Sequence, residues 1–140
     1  MKHHPGLNTC RRLLVGLTTL AAVASVPITA AAVEPAIPDG AQLSSWYDNG
    51  QDGRYVLEVL RGPSRAATGA VEGIVQSDAN CAPDAQGLSH CHNVIDMSNG
   101  SRLLVRNTHL MMRHRCLAPG DRISLRALNE NWVVGTLATP

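Results

Sequence analysis

Phenylalanine is absent from this chain of 140 residues, and two Trp and two Tyr are its only aromatic side chains. Lysine occurs once, at Lys2, so nearly all positive charge is arginine. Few aromatics means few platforms for stacked bases, and a formal net charge of +1 gives no broad footprint for nucleic acid or anionic lipid. No Gly-rich phosphate loop joins a strand to a helix, and no serine sits in a nucleophile-elbow motif. The chain also lacks internal repeats and low-complexity segments.

What is present begins with an export address. Lys2, Arg11 and Arg12 precede an apolar run from Leu13 to Val26, and the small residues Thr29-Ala30-Ala31-Ala32 follow. Charged, apolar and small-residue regions in that order form a secretory signal. Residues 1–32 are therefore expected to be removed, with cleavage after Ala32 or, alternatively, after Ala30 or Ala31. The competing reading is a retained anchor, because Leu13 to Val33 is long enough to cross a bilayer. Arg11-Arg12 before Leu13-Leu14-Val15 also resembles a twin-arginine signal, a route for already folded proteins, often with cofactor inserted. Either route places the mature chain in the periplasm or outside the cell. Loss of Lys2, Arg11 and Arg12 leaves nine arginines against eleven acids, a net charge of −2.

Just over a hundred residues remain, enough for one domain with a modest core that a covalent staple would help. Export supplies the oxidising compartment in which disulfides persist. Cys10 leaves with the signal, so Cys81, Cys91 and Cys116 make one pair and one leftover thiol. Every cysteine, histidine and methionine after the signal lies between Cys81 and Cys116.

Residues 33–40 read as a flexible lead-in, and residues 41–140 as the folded domain. Asp39 is a candidate N-cap for a short helix whose apolar stripe is Leu43, Trp46 and Tyr47. Asn49-Gly50 and Asp52-Gly53 end it. Strand patterns follow at Arg54–Leu60 and Ala70–Gln76, then a long loop from Ser77 to Ser89. His90–Met97 and Ser101–Met111 flank Ser98-Asn99-Gly100, a strong hairpin signal. After the Pro119-Gly120 turn, strands are expected around Ile123–Ala127 and Trp132–Leu137. One short helix and five or six short strands joined by turns predict an all-β fold, a small OB-like antiparallel barrel.

The order Trp46-Tyr47-Asp48-Asn49, Gly69 to Val75, Gly87 to Ile95, Asn99 to Arg113 and Pro119-Gly120-Asp121 resembles a family of small exported bacterial proteins. Gly87-Leu88-Ser89-His90 matches that family's Gly-x-x-His, and Leu103-Leu104-Val105 with Asn107, Leu110 and Arg113 resembles its next strand. Arg106 stands where the family has histidine, and the family's Trp- and His-rich ending is absent. The resemblance implies an OB-like barrel and no particular activity.

A two-residue Asn99-Gly100 loop would pair Ser98 with Ser101, and hence His90 with His109 and His92 with Asn107. His90, His92, His109 and Met111 would then share one face, with directly opposed Cβ atoms about 4.5–5.5 Å apart. That set suits copper, with zinc second. The alternative is that the histidines are solvated or bonded to carbonyls and the methionines fill the core. The same register brings Cys116 near Cys81, which favours a Cys81–Cys116 disulfide and leaves Cys91 as a small buried hydrophobe. The competing Cys81–Cys91 pair frees Cys116 for the metal.

The expected function is thus an exported binding module of the envelope, with copper at the hairpin. The alternative is an OB-like module for a protein, oligosaccharide or nucleic-acid partner, nucleic acid being the least expected. Arg102, Arg106, Arg113 and Trp132 are the candidate partner surface, or else a solvated strand edge. Catalysis is not expected. Asp96 and His92 would stand about 13 Å apart along a strand, and Cys91 faces away from both neighbouring histidines.

Overall fold

The computed structural model describes residues 34–63 and 69–138. The expected signal, residues 1–32, and its cleavage sites lie outside them. No helix among the described residues is long and apolar enough to cross a membrane.

Six antiparallel strands close a barrel: β1 (Arg54–Arg61), β2 (Val71–Ala79), β3 (Ser89–Met97), β4 (Arg102–His109), β5 (Arg122–Ala127) and β6 (Trp132–Leu137). Around the barrel the order is β1-β4-β3-β2-β5-β6, with β6 returning to β1. β2–β3–β4 is a meander, and the β5–β6 hairpin pairs back onto β2. β1 fills the gap between β4 and β6, which leaves no open edge among the named strands.

The interior follows from alternation. Ser89, Cys91, Asn93, Ile95 and Met97 of β3 are buried, and the residues between them are only partly so. Tyr55, Leu57, Val75, Ile95, Leu103, Val105, Ile123, Leu125 and Val133 meet in the main core. A second, smaller core lies on the far face of β1, where Val56 packs with Ala41, Trp46 and Leu88. Trp132 stacks on Trp46 there, ring centroids 5.5 Å apart.

The expected N-terminal helix is not formed. Two 3-10 turns, Trp46–Asp48 and Gln51–Gly53, occupy its place. Ser45, rather than Asp39, supplies the cap, accepting from the Tyr47 N–H. The left-handed Gly50 at φ 101° stops propagation after one turn. Asn49, read from sequence only as a turn residue, is wholly buried and works as a splice between strands. Its amide donates to the carbonyls of Val56 and Thr108 and accepts from the Val56 N–H. It thereby satisfies backbone groups where β1 and β4 part.

Candidate metal centre

The hairpin register differs from expectation by one residue. His90 pairs with Thr108, His92 with Arg106 and Ser89 with His109. The reason lies in the turn. Met97 and Ser101 close it through a 2.8 Å hydrogen bond, so Ser98-Asn99-Gly100 is a three-residue loop. Only Gly100 there has positive φ, at 82°, whereas a type I′ turn needs it at Asn99 as well. Asn99 instead accepts from the Ser101 N–H and hydroxyl. A slip of one residue sends every side chain of the slipped strand to the other face.

The expected His90–His92–His109–Met111 patch is therefore dispersed. His109 points into the barrel and is fully buried, while His90 and His92 lie on the outer face. Met111 falls beyond the end of β4 and is 46% exposed. His90 has both ring nitrogens engaged, Nε2 with Asp84 at 2.9 Å and Nδ1 with Thr108 at 3.0 Å. Burial alone would raise the Asp84 carboxyl. Hydrogen bonds from His90 and from the Leu88 and Gln86 N–H groups outweigh it and hold the carboxyl below its usual range. This carboxylate–imidazole–hydroxyl chain clamps the loop after β2 onto the hairpin. The Thr108 residue at its end is 2% exposed, closed to any large substrate.

The disulfide also differs from the favoured pairing. It joins Cys81 to Cys91 and leaves Cys116 free. β2 runs on to Ala79, which pairs with His92, so the loop starts later than expected. Asn80, left-handed at φ 57°, then turns the chain back and delivers Cys81 to Cys91. Cys91 lies on the interior face, as Asn107 opposite it does.

Cys116 nevertheless stands beside that bond. One ligand atom each from Asp78, Cys81, Cys91 and Cys116 lie within 4.8 Å of one another. The loop carrying Cys116 docks on β2, where Gly120 donates to the Val75 carbonyl and Val75 to that of Asp121. Asn93 ties the two sides together through its amide, which donates to the Ser77 carbonyl and to Asp78 Oδ1 at 3.0 Å on β2 and to the Leu117 carbonyl at 3.4 Å beside Cys116. Asp78 Oδ1 also lies 3.3 Å from Cys81 Sγ. A disulfide sulfur has no proton to donate, so this contact becomes a hydrogen bond only when the pair is reduced. Burial pushes the Cys116 thiol up, and the Asp78 charge adds to that, against a smaller downward pull from Arg115.

Comparison with protein-family models, with curated proteins and with solved structures finds no match. The chemistry of the site has to be read from its own atoms.

With the disulfide reduced, three thiols and a carboxylate form a set that a cation would stabilise, by converting thiols to thiolates and neutralising the Asp78 charge that raises the Cys116 thiol. The interior around Cys91 is polar as well. Among the described residues, the buried side-chain nitrogen and oxygen atoms without a hydrogen-bond partner are Asn93 Oδ1, Asn107 Nδ2 and both ring nitrogens of His109. Sequence reasoning singled out the three cysteines but not Asp78. The signal available was the alternation of β2 continued past Gln76, which would have kept Asp78 in a strand.

The partner surface proposed from arginines is neutralised by ion pairs. Arg102 meets Asp96 at 2.5 Å, Arg106 meets Glu58, and Arg113 meets Asp48 at 3.1 Å. Trp132 belongs to the small core. A shallow groove of about 470 Å³ lies at the other end of β2 and β3, lined by Ile74, Met97 and Arg122 among others. It holds none of the cluster residues, so concavity and reactive chemistry occupy different ends of the barrel.

Proposed function

We propose that this is an exported metal-binding module whose site is the Asp78–Cys81–Cys91–Cys116 cluster in its reduced form. The observation that carries the reading is the third sulfur, held within 4.8 Å of both members of the disulfide and of a carboxylate. A purely structural disulfide needs neither neighbour. Thiolates select zinc or Cu(I). Zinc comes first here, because four donors including an oxygen or nitrogen suit a tetrahedral ion, with Zn–S of about 2.3 Å. Cu(I) would rest on the thiolates alone. Thiol–disulfide exchange is a weaker reading of the same atoms, since a thiol raised by burial and by Asp78 is a poor nucleophile at neutral pH. Loading requires two electrons from a dithiol reductant. That reductant becomes a disulfide while Cys81 and Cys91 become thiols, and the incoming cation displaces the thiol protons. A twin-arginine route would allow loading in a reducing compartment before export.

The test is calorimetric titration of zinc into the reduced chain, beside Cys116→Ser and a Cys81→Ser/Cys91→Ser/Cys116→Ser variant. One equivalent should bind to the reduced wild type with proton release. Affinity should fall at least tenfold on loss of Cys116 alone. Equal, weak binding by all three proteins would overturn the proposal.

A further inference from the structure

His109 is the least explained side chain in the barrel. It is fully buried, yet neither ring nitrogen has a hydrogen-bond partner. An imidazole in that state has given up its hydrogen bonds to water without replacing them, a cost that a leucine of similar size would not carry. Burial pushes its pKa below the usual histidine value, against smaller upward pulls from a backbone approach of Asn107 that falls short of hydrogen-bond geometry and from the Asp78 charge.

Two observations bring it toward the cysteines, although its ring nitrogens lie outside the group of ligand atoms within 4.8 Å of one another, so ligation requires the ring to turn toward Cys91. His109 faces Ser89 across the β3–β4 ladder, and Cys91 faces Asn107, so His109 and Cys91 are diagonal neighbours on the interior face. Diagonal pairs lie about 7–8 Å apart, within reach of a ring. The His109 ring meets Tyr55 edge-on at 6.4 Å, and the Tyr55 hydroxyl donates to the carbonyl of Arg115, the residue before Cys116.

We infer that His109 is the fourth protein ligand of the cation, completing a Cys81, Cys91, Cys116 and His109 set. Asp78, held by Asn93, then stands behind the site as a charge partner rather than a ligand. Three thiolates with one imidazole is a recurrent tetrahedral zinc set. The inference rests on the metal-binding reading above and names the ligand that decides between zinc and Cu(I).

Cobalt(II) loading of the reduced chain tests it, with zinc-loaded protein carrying ¹⁵N-labelled histidine as the second measurement. The wild type should show thiolate-to-cobalt charge transfer together with the visible bands of a tetrahedral S₃N ion. One His109 nitrogen should shift on zinc binding. His109→Leu should keep the charge-transfer band, lose the S₃N pattern and bind at least tenfold more weakly. Asp78→Asn should keep the S₃N pattern. Unchanged visible bands in His109→Leu with no nitrogen shift in the wild type would overturn the His109 assignment and leave the cysteine site standing. Absence of charge transfer in the wild type itself would remove the metal reading and this inference with it.

Discussion

The two ends of the β3–β4 hairpin are built on different principles, although the same strands supply both. At the turn end the interior side chains are Ile95, Met97, Leu103 and Val75, all apolar and tightly packed. Approach there is so close that a Cβ on Gly73 would lie 2.8 Å from Ile95 Cγ2. At the other end the same interior rows hold Cys91, Asn93, Asn107 and His109. All the orphaned buried side-chain atoms found among the described residues belong to this second end. Buried polar networks are worth having when every member is satisfied, and a partly satisfied one is worse than apolar packing. The first end is therefore organised for folding, and the second carries a cost that folding does not require. Sites where local chemistry departs from the needs of the core are where function is expected.

Truncating the apolar end should produce the largest effect. Ile95 is fully buried in the main core. Ile95→Ala should lose about 3–4 kcal/mol through lost transfer energy and the cavity left behind. Urea unfolding measures it, and a loss under 1 kcal/mol would show that the two ends do not divide the labour as argued.

Opening the covalent link comes next. The disulfide closes a short loop, its cysteines ten positions apart. A Cys81→Ser/Cys91→Ser double variant should lose about 2.5–3 kcal/mol on loop-closure grounds. Zinc should restore stability to the reduced wild type and not to this variant, as read by the shift in thermal midpoint.

The clamp at the polar end should respond to acid. The folded Asp84 carboxyl is held below its ordinary value of 3.8. Fewer protons are then bound in the native than in the unfolded state around that pH, so stability rises with pH there. The contribution is complete above the unfolded value and drains away as pH falls through the lowered folded one. Asp84→Asn should lose about 1–2 kcal/mol at pH 7, the worth of its charge-assisted hydrogen bonds. The two proteins should converge in stability at the acid end. A constant difference from pH 7 to pH 2.5 in denaturant titrations would count against the clamp.

The legible part of this molecule was what local pattern controls. All six strands lie within a few residues of their expected positions, because alternation and turn residues mark them directly. The hairpin was legible, but its register was not. Asn99-Gly100 fits either a two-residue or a three-residue loop, and the choice depends on the φ of Asn99. That single angle moved His109 from the outer face to the interior and dissolved the expected copper patch. The disulfide was hidden for a related reason. Asn80 in the left-handed region redirects the chain, and an extrapolated register cannot include such a bend. The crowding of cysteine and histidine between positions 81 and 116 did point to the reactive end of the barrel. It could not say which side chains face inward, and Asp78 and His109 enter the site only through that fact.

The smallest expected effect is also the most discriminating. If the polar end were simply a less perfect core, His109 would contribute to it like any buried residue, and replacing it would destabilise the metal-free protein. If it is retained for a ligand, the metal-free protein should tolerate or prefer an apolar side chain. His109→Leu removes two orphaned nitrogens and keeps most of the volume packed against Tyr55. The gain should be about 1 kcal/mol, the lower part of the range for relieving unsatisfied buried groups, because the leucine shape repacks imperfectly. Urea unfolding of metal-free, disulfide-intact protein reads this directly. A stabilised variant that also binds zinc poorly shows stability given up for a site. A destabilised one would return His109 to the core and make the two ends of the barrel alike.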